Sequence, residues 1–130
     1  MSFLGQGPSL HSVVIDAPVE SGGNNAGPRP TELLLMAVAG CTGIDVVSIL
    51  RKMQVEFMDL EILIGGTRMP DHPRYYTSME IVYRVTGDSV PREKVERAAE
   101  LSLSKYCTVS QTLLGRVHIS HRVEILAPGA

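Results

Sequence analysis

The sequence lacks the excess of one charge that marks many nucleic-acid-binding and membrane-surface proteins. Its 130 residues include 12 Lys and Arg against 14 Asp and Glu, which gives a net charge of −2. Such a chain has no electrostatic reason to bind nucleic acid or an anionic membrane. We therefore expect no nucleic-acid partner and no membrane partner, and any ligand should be recognised at a specific site.

A long uninterrupted apolar run is also missing. The longest charge-free apolar stretch, Leu33 to Ile44, has 12 residues. As a helix it would cover only ~18 Å of a ~30 Å hydrocarbon slab, which predicts that it does not span a membrane. The N-terminal "MSFLGQGPSL" has neither a basic segment nor a sustained apolar segment, so no secretory signal is visible. These features favour a cytoplasmic location.

Cysteine is scarce, with only Cys41 and Cys107 in the chain. In the cytoplasm, two cysteines are more typical of free or redox-active thiols than of a permanent disulfide. Neither the cysteines nor the scattered histidines reproduce a zinc-ligand spacing such as paired C-x-x-C, and "GGNNAG" lacks the Lys-Ser/Thr of a phosphate-binding loop. The sequence therefore predicts no metal and no bound cofactor.

The pattern of apolar residues predicts a single α+β domain over residues 1–130. Pro30 is suited to a helix start, and Gly, Pro and Asn clusters separate the other segments. The predicted elements are a strand within 9–18, a helix from Thr31 to about Met53, two hairpin strands within 55–69 and 75–87, a charged helix over 91–106, a short helix over 108–115 and a final strand over 116–126. Thr108 and Gln111 match the T-x-x-Q capping box of the short helix.

The first long helix is apolar on every side from Leu33 to Cys41. This pattern predicts a largely antiparallel sheet wrapped on a buried central helix. So few elements cannot cover such a helix completely, and burial against a second copy of the chain would do so. We therefore expect a homodimer.

Local chemistry distinguishes the two thiols. Asp45 lies four residues after Cys41, only ~40° away around the helix, and an ionised carboxylate there would raise the pKa of the thiol. Cys107 precedes a helix N-terminus and lies two residues from Lys105, and both neighbours favour the thiolate. Taken locally, Cys107 is predicted to be the more acidic thiol, although a lone free cysteine is often no more than a small buried apolar residue.

Two segments in this order, "GPRPTELLLMAVAGCTGIDVVSILRKM" and "SKYCTVSQTLL", resemble the OsmC/Ohr family of osmotically inducible and organic hydroperoxide resistance proteins. The resemblance covers about Pro28 to Val123 and is greatest to the YhfA-like branch. It implies an OsmC-like fold assembled as an intertwined homodimer. It also implies a thiol-dependent peroxide reductase in which Cys41 is the peroxidatic cysteine and Cys107 the resolving one, with an external dithiol as reductant.

The match to that family has two departures. Its peroxidases commonly carry a Glu immediately after the Pro that opens the central helix, paired with an Arg from an early strand or loop. Here Thr31 holds that position, Glu32 follows it, and no Arg precedes Arg29. The alternative hypothesis is therefore a small-molecule-binding OsmC-like protein with weak or no peroxidase activity.

Overall fold

A computed structural model describes residues 1–129 of the chain, which divide into one compact unit over Met1–Met36 and a second from Ala37 onward. In the first unit, β1 (Phe3–Gln6) pairs antiparallel with β2 (Ser12–Ile15), and a 3₁₀ turn follows at Val19–Ser21. The sequence predicted β2 but not β1, because β1 is four residues long, largely exposed and without apolar alternation. The prediction of a single domain stays a prediction.

Asp16 organises the glycine-rich loop that follows β2. Its carboxylate accepts hydrogen bonds from the backbone N–H groups of Ala17 (2.7 Å), Asn24 (3.1 Å) and Ala26 (3.1 Å). The bonds from Ala26 and Ala17 contribute most to lowering the pKa of this carboxyl group. These three backbone N–H groups of the loop are therefore already bonded to a carboxylate of the same loop. The loop ends at Pro30, where the long helix begins.

The second unit is built on a three-stranded sheet in the order β3–β4–β5. The helix α1 (Pro30–Lys52) begins in the first unit and continues into the second. After it, the sheet begins with a hairpin, and two helices and a π-helical turn precede the last strand. The elements are β3 (Asp59–Arg68), β4 (Tyr76–Thr86), α2 (Arg92–Leu101), the π-helical turn (Ser102–Tyr106), α3 (Thr108–Leu113) and β5 (His118–Leu126). The predicted α+β class and element order are confirmed from α1 onward.

The sheet is mixed, so the prediction of an antiparallel sheet is wrong in one pairing. β3 and β4 form the expected antiparallel hairpin, whereas β5 runs parallel to β4, from Ser78 opposite His118 to Thr86 opposite Leu126. A parallel neighbour requires a crossover connection, and the helical segment between β4 and β5 provides it. Strand periodicity predicts which residues share a face, but it carries no information about the direction of the neighbouring strand.

β4 supplies most of the apolar core of the sheet. Met79, Ile81, Tyr83 and Val85 are buried, as the period of two predicts. The same pattern would bury Tyr75, but Tyr76 is buried instead, because the register of β3 and β4 shifts by one residue at Thr67 and Arg68. The alternation of the last strand places His121 on its apolar face and predicts a core position, but His121 is exposed, with its ring edge-to-face on that of Tyr83 at 6.0 Å.

α1 buries one narrow stripe rather than its whole circumference. Its fully buried side chains are spaced four residues apart: Val38, Thr42, Val46 and Leu50. Beside this stripe, a Cβ added to Gly43 would lie 3.4 Å from Cγ1 of Ile62 on β3, so this turn of the helix packs against the sheet. The prediction of a buried central helix therefore holds for one face only, and Ile44 on another face is 74% exposed.

By length and composition alone, α1 could cross a membrane. This corrects the prediction, made from the 12-residue charge-free stretch Leu33 to Ile44, that the segment is too short to do so. The helix continues to Lys52 and has 23 residues, and its most apolar 18-residue window has a mean hydropathy of 2.2 with 22% of the window buried. The shorter estimate stopped at Asp45, although a single carboxylate does not end a helix. Core helices of soluble proteins meet the same criterion, so the length and hydropathy of α1 do not distinguish a membrane span from a core helix.

Candidate functional site: a two-cysteine cluster with a buried hydroxyl chain

Cys107 is positioned by the π-helical turn that follows α2. Its backbone N–H donates to the carbonyl oxygen of Ser102 at 2.7 Å, five residues back, and closes the turn. Such one-turn π insertions are frequent at functional sites because they displace the residues that follow from the regular helical path. Here the insertion places Cys107 at the N-cap of α3 and leaves Ser102 fully buried one turn earlier.

The cap of α3 is Cys107 itself, so the predicted Thr108–Gln111 capping box is wrong. The Cys107 Sγ accepts a hydrogen bond from the backbone N–H of Ser110 at 3.4 Å. Gln111 instead donates its side-chain amide to the carbonyl oxygens of Leu103 (2.8 Å) and Ser104 (3.1 Å), which ties α3 to the π-helical turn. The residues of the box are present, but the extended N-cap residue is Cys107, one position before Thr108, which is already the first residue of the helix.

Cys41, Asp45 and Cys107 meet in one cluster. One ligand atom from each residue, the two sulfurs and a carboxylate oxygen, lie within 4.8 Å of one another. Cys41 and Asp45 occupy successive turns of α1, as the helical spacing predicts, and Cys107 comes from the start of α3. Cys107 is fully buried, Cys41 is half-buried, and both are free thiols. The fold thus brings together the two cysteines that the sequence singled out.

A chain of buried hydroxyl groups ends on the carboxylate of this cluster. The Tyr83 hydroxyl and Thr42 Oγ1 are 2.7 Å apart, and Thr42 Oγ1 and Ser102 Oγ are also 2.7 Å apart. Ser102 Oγ donates to Asp45 Oδ2 at 2.8 Å. Four residues from three elements, β4, α1 and the π-helical turn, are therefore connected in series.

The direction of this chain follows from the number of protons available. Each hydroxyl has one proton to donate, and Ser102 gives its proton to Asp45. Thr42 must then donate to Ser102, and Tyr83 must donate to Thr42. Burial raises the pKa of Tyr83 to about 12, against the opposing effect of the hydrogen bond to Thr42. Burial therefore keeps the phenol neutral, and the hydroxyl chain fixes the orientation of the carboxylate.

Burial also decides the state of Cys107, and it corrects the expectation that this is the acidic thiol. Desolvation is the largest cause and raises the pKa of the Cys107 thiol, and neighbouring Cys41 raises it further. The hydrogen bonds from Ser110 lower it, as a helix N-terminus predicts, but they are outweighed. Lys105, expected to favour the thiolate, has its Nζ 5.3 Å from the centroid of the Tyr106 ring. Local sequence identified the helix N-terminus but could not measure burial.

No nitrogen of Lys, Arg or His within residues 1–129 lies within 4.0 Å of an Asp45 carboxylate oxygen. Asp45 does share a cavity of about 410 Å³ with Lys52 and Tyr106. Arg29, the earliest arginine, donates to Asn25 Oδ1 at 2.7 Å and to the carbonyl of Gly27 at 3.1 Å. The carboxylate of Asp45 thus has no ion-pair partner in the part of the chain described.

Sequence reasoning missed the hydroxyl chain, although its signals are present. Thr42 stands in the middle of an apolar helix, and Tyr83 lies on the apolar face of a predicted strand. Ser102 continues the apolar face of the predicted helix over 91–106. Each residue alone is ordinary. A buried hydroxyl needs a hydrogen-bond partner, so three of them on inward faces would have predicted a shared network.

These features define the class of protein: an α+β protein with two free thiols, one on a long helix and one at the N-cap of a short helix, beside a carboxylate. The chain belongs to the OsmC-like protein family, whose model matches residues 22–122. The resemblance drawn from the two cysteine segments is therefore confirmed.

Individual relatives agree with this assignment. The chain is similar to Protein YhfA of Escherichia coli strain K12, with 38% identity over 127 residues that cover 98% of this chain and 92% of the relative. A structure from structural genomics shares 37% identity and a TM-score of 0.85, covering 97% of this chain and 91% of the other. An organic hydroperoxide resistance protein OsmC from Legionella pneumophila has 14% identity, a TM-score of 0.70 and 95% coverage of each chain, which shows a shared fold.

Proposed function

We propose that this protein is a thiol-dependent peroxide reductase. The single observation that carries the proposal is the meeting of the Cys41 and Cys107 sulfurs in one cluster, because a reaction that ends in a disulfide needs both. Membership of the OsmC-like family supports it. So does the fold shared with a protein described as an organic hydroperoxide resistance protein.

In the proposed reaction, the Cys41 thiolate attacks the distal oxygen of a peroxide ROOH. The O–O bond breaks, the sulfur is oxidised to sulfenic acid, and RO⁻ leaves and takes up a proton to become ROH. The Cys107 sulfur then attacks the sulfenic sulfur, which forms the disulfide and releases water. An external dithiol transfers two electrons and two protons to the disulfide and restores both thiols.

The two cysteines suit different steps of this reaction. Cys41 is half-buried, so a peroxide can approach its sulfur, whereas Cys107 is fully buried. Because burial raises the pKa of Cys107, this thiol stays protonated and does not compete for peroxide. We accordingly assign Cys41 the peroxidatic role and Cys107 the resolving role. Two unpaired cysteines fit a reducing compartment, so we also propose a cytoplasmic location.

A homodimer is the proposed assembly. An apolar groove of about 760 Å³ runs along α1, lined by Ala39, Gly40, Gly43, Ile44, Val47 and Ile62 among others. A Cβ added to Gly40 would meet nothing within 4 Å, so this part of the helix has room for another chain. Covering such a surface with a second copy removes exposed apolar area from water.

The test is to treat the reduced protein with excess cumene hydroperoxide without oxygen and to count thiols. The wild type should lose both thiols and gain one intramolecular disulfide, seen as a mass loss of two hydrogen atoms. Cys107→Ser should stop at a sulfenic acid that dimedone traps. Cys41→Ser is the matched control and should keep its remaining thiol under the same conditions. Survival of both wild-type thiols would reject the proposal.

A binding protein without turnover is the second candidate, and one observation favours it. The charged group beside Cys41 is the carboxylate of Asp45, which opposes a thiolate rather than stabilising it. Steady peroxide consumption with dithiothreitol, abolished by Cys41→Ser, would exclude this candidate. Absence of turnover together with a small molecule retained in native mass spectra would favour it.

A further inference from the structure

The cluster has the geometry of a cation site as well as that of a redox pair. Two sulfurs and a carboxylate oxygen, from Cys41, Cys107 and Asp45, lie within 4.8 Å of one another. Tetrahedral zinc, with bonds of about 2.3 Å to sulfur and 2.0–2.2 Å to oxygen, holds its ligands roughly 3.5–3.8 Å apart. The three atoms therefore need to approach one another by at most about 1.3 Å, which small side-chain rotations can supply.

Charge favours a cation at this point. Two thiolates and a carboxylate would carry three negative charges in a partly buried site, and no basic nitrogen in residues 1–129 ion-pairs with Asp45. Uncompensated charges of one sign are costly in such an environment. The metal-free cluster avoids this cost while Cys107 stays protonated, whereas a bound divalent cation would offset the charges and allow both thiols to ionise.

The surrounding hydrogen bonds are those that metal ligands commonly have. Ser102 is fully buried and donates to Oδ2 of Asp45 at 2.8 Å, which orients the carboxylate and leaves its other oxygen for an ion. Behind Ser102, the donors Thr42 and Tyr83 keep that orientation fixed. The backbone N–H of Ser110 donates to Cys107 Sγ at 3.4 Å. Such outer contacts fix the direction of a ligand and tune its affinity.

We propose that the reduced protein binds one thiophilic divalent cation, of which Zn²⁺ is the best match, through Cys41 Sγ, Cys107 Sγ and an Asp45 oxygen. Each thiol releases its proton to solvent as its bond to the metal forms. The fourth position is left for water, as in open zinc sites. The cavity of about 410 Å³ that reaches Asp45 provides a path for the ion.

Zinc-ligand spacing in the sequence gives no hint of this site, because the ligands come from separate elements. Asp45 follows Cys41 by one helical turn, and Cys107 joins them only after the sheet and α2 have formed. Metal and peroxide then compete for the same sulfurs. Bound metal should protect the thiols from oxidation, and the disulfide should release the metal.

The test uses the full-length reduced protein in a metal-free buffer. Zn²⁺ is titrated against a chromogenic chelator, and Co²⁺ serves as a spectroscopic probe. The expected result is one equivalent of metal per chain, a thiolate-to-cobalt charge-transfer band and loss of reactivity of both thiols towards a disulfide reagent. Binding that is absent, or that occurs without the charge-transfer band, would overturn the proposal.

Variants separate the carboxylate from the thiols. Asp45→Asn keeps an oxygen acceptor for Ser102 and should weaken Zn²⁺ binding more than the ~10–100-fold expected for Ser102→Ala. Asp88→Asn, on the exposed surface, is the matched control and should change nothing. Unchanged affinity in Asp45→Asn would show that the carboxylate is not a ligand and would overturn the three-ligand site. Far-ultraviolet circular dichroism checks that each variant is folded.

This inference and the proposed peroxide reduction can fail separately. Loss of metal binding with an intact peroxide-driven disulfide would reject the metal site alone. Metal binding with thiols that survive peroxide in the metal-free protein would reject the reductase alone. Protection of both thiols from peroxide by one equivalent of Zn²⁺, reversed by a chelator, would support both the metal site and the peroxide reductase.

Discussion

Raising the pH through the range in which phenols ionise should destabilise this protein by way of Tyr83. This residue is fully buried and donates its proton to Thr42 at 2.7 Å, and burial raises its pKa from 10.0 to about 12. The unfolded chain loses that proton near its ordinary pKa, whereas the folded protein retains it. The stability from keeping the phenol neutral is complete below about pH 10 and is lost as the pH rises towards 12.

The size of the effect follows from the two pKa values. A difference of one in pKa corresponds to about 1.4 kcal/mol, so Tyr83 contributes ~2–3 kcal/mol in all. About half of this, ~1.4 kcal/mol, should be gone by about pH 11. That loss is a substantial part of the ~5–15 kcal/mol that stabilises a typical domain.

The assay is urea unfolding followed by circular dichroism at pH 8, 9, 10 and about 11, with Tyr83→Phe as the matched variant. The two proteins differ only at Tyr83, so pH-dependent contributions that do not involve Tyr83 cancel in the difference. At neutral pH the variant should be less stable by about 1 kcal/mol, because Thr42 loses a donor. This difference should shrink as the pH rises and should vanish or reverse by about pH 11.

The absorbance of ionised tyrosine provides an independent check. The chain has four tyrosines and no tryptophan, so the phenolate signal near 295 nm is clean. In the folded protein, Tyr83 should ionise only as the pH approaches about 12, and this late step should be missing in Tyr83→Phe. A free-energy difference between the two proteins that stays constant from pH 8 to about 11 would refute the buried, proton-donating phenol and the directed chain built on it.

Two further predictions concern α1. Leu50→Ala removes a fully buried side chain and should lower the free energy of unfolding by ~2–5 kcal/mol in urea titrations, whereas Leu114→Ala, at a site 52% exposed, should change it by less than ~0.5 kcal/mol. Ile44→Asp places a charge in the apolar groove and should shift the protein towards monomer in sedimentation velocity while it stays folded; a wild type that is already monomeric would contradict the proposed dimer.

The sequence predicted most of the secondary structure because these patterns are local. Pro30 and the apolar pattern that follows it predicted α1 within about one residue of its observed bounds, Pro30–Lys52. Helical spacing also places Val95, Ala98 and Ala99 on one face of α2, and all three are fully buried. The strand β1 was missed because four largely exposed residues provide no periodicity to detect.

The predictions failed where a contact with residues distant in the sequence outweighed the preference of the local sequence. The register shift of β3 against β4 exchanged Tyr75 for Tyr76 in the core, and this depends on how two strands pair. The thiol of Cys107 lies at a helix N-terminus as predicted, yet burial by distant elements raises its pKa. In both cases the neighbour in space, absent from the local sequence, determined the outcome.

By itself, the sequence determined the helices and most strands, the α+β class and the family, because periodicity and short motifs depend on adjacent residues. Only the tertiary structure decided that β5 runs parallel to β4, that α1 buries a single stripe, and that Cys41, Asp45 and Cys107 share one cluster. These features require residues far apart along the chain to meet, and that meeting is set by how the sheet and the helices pack.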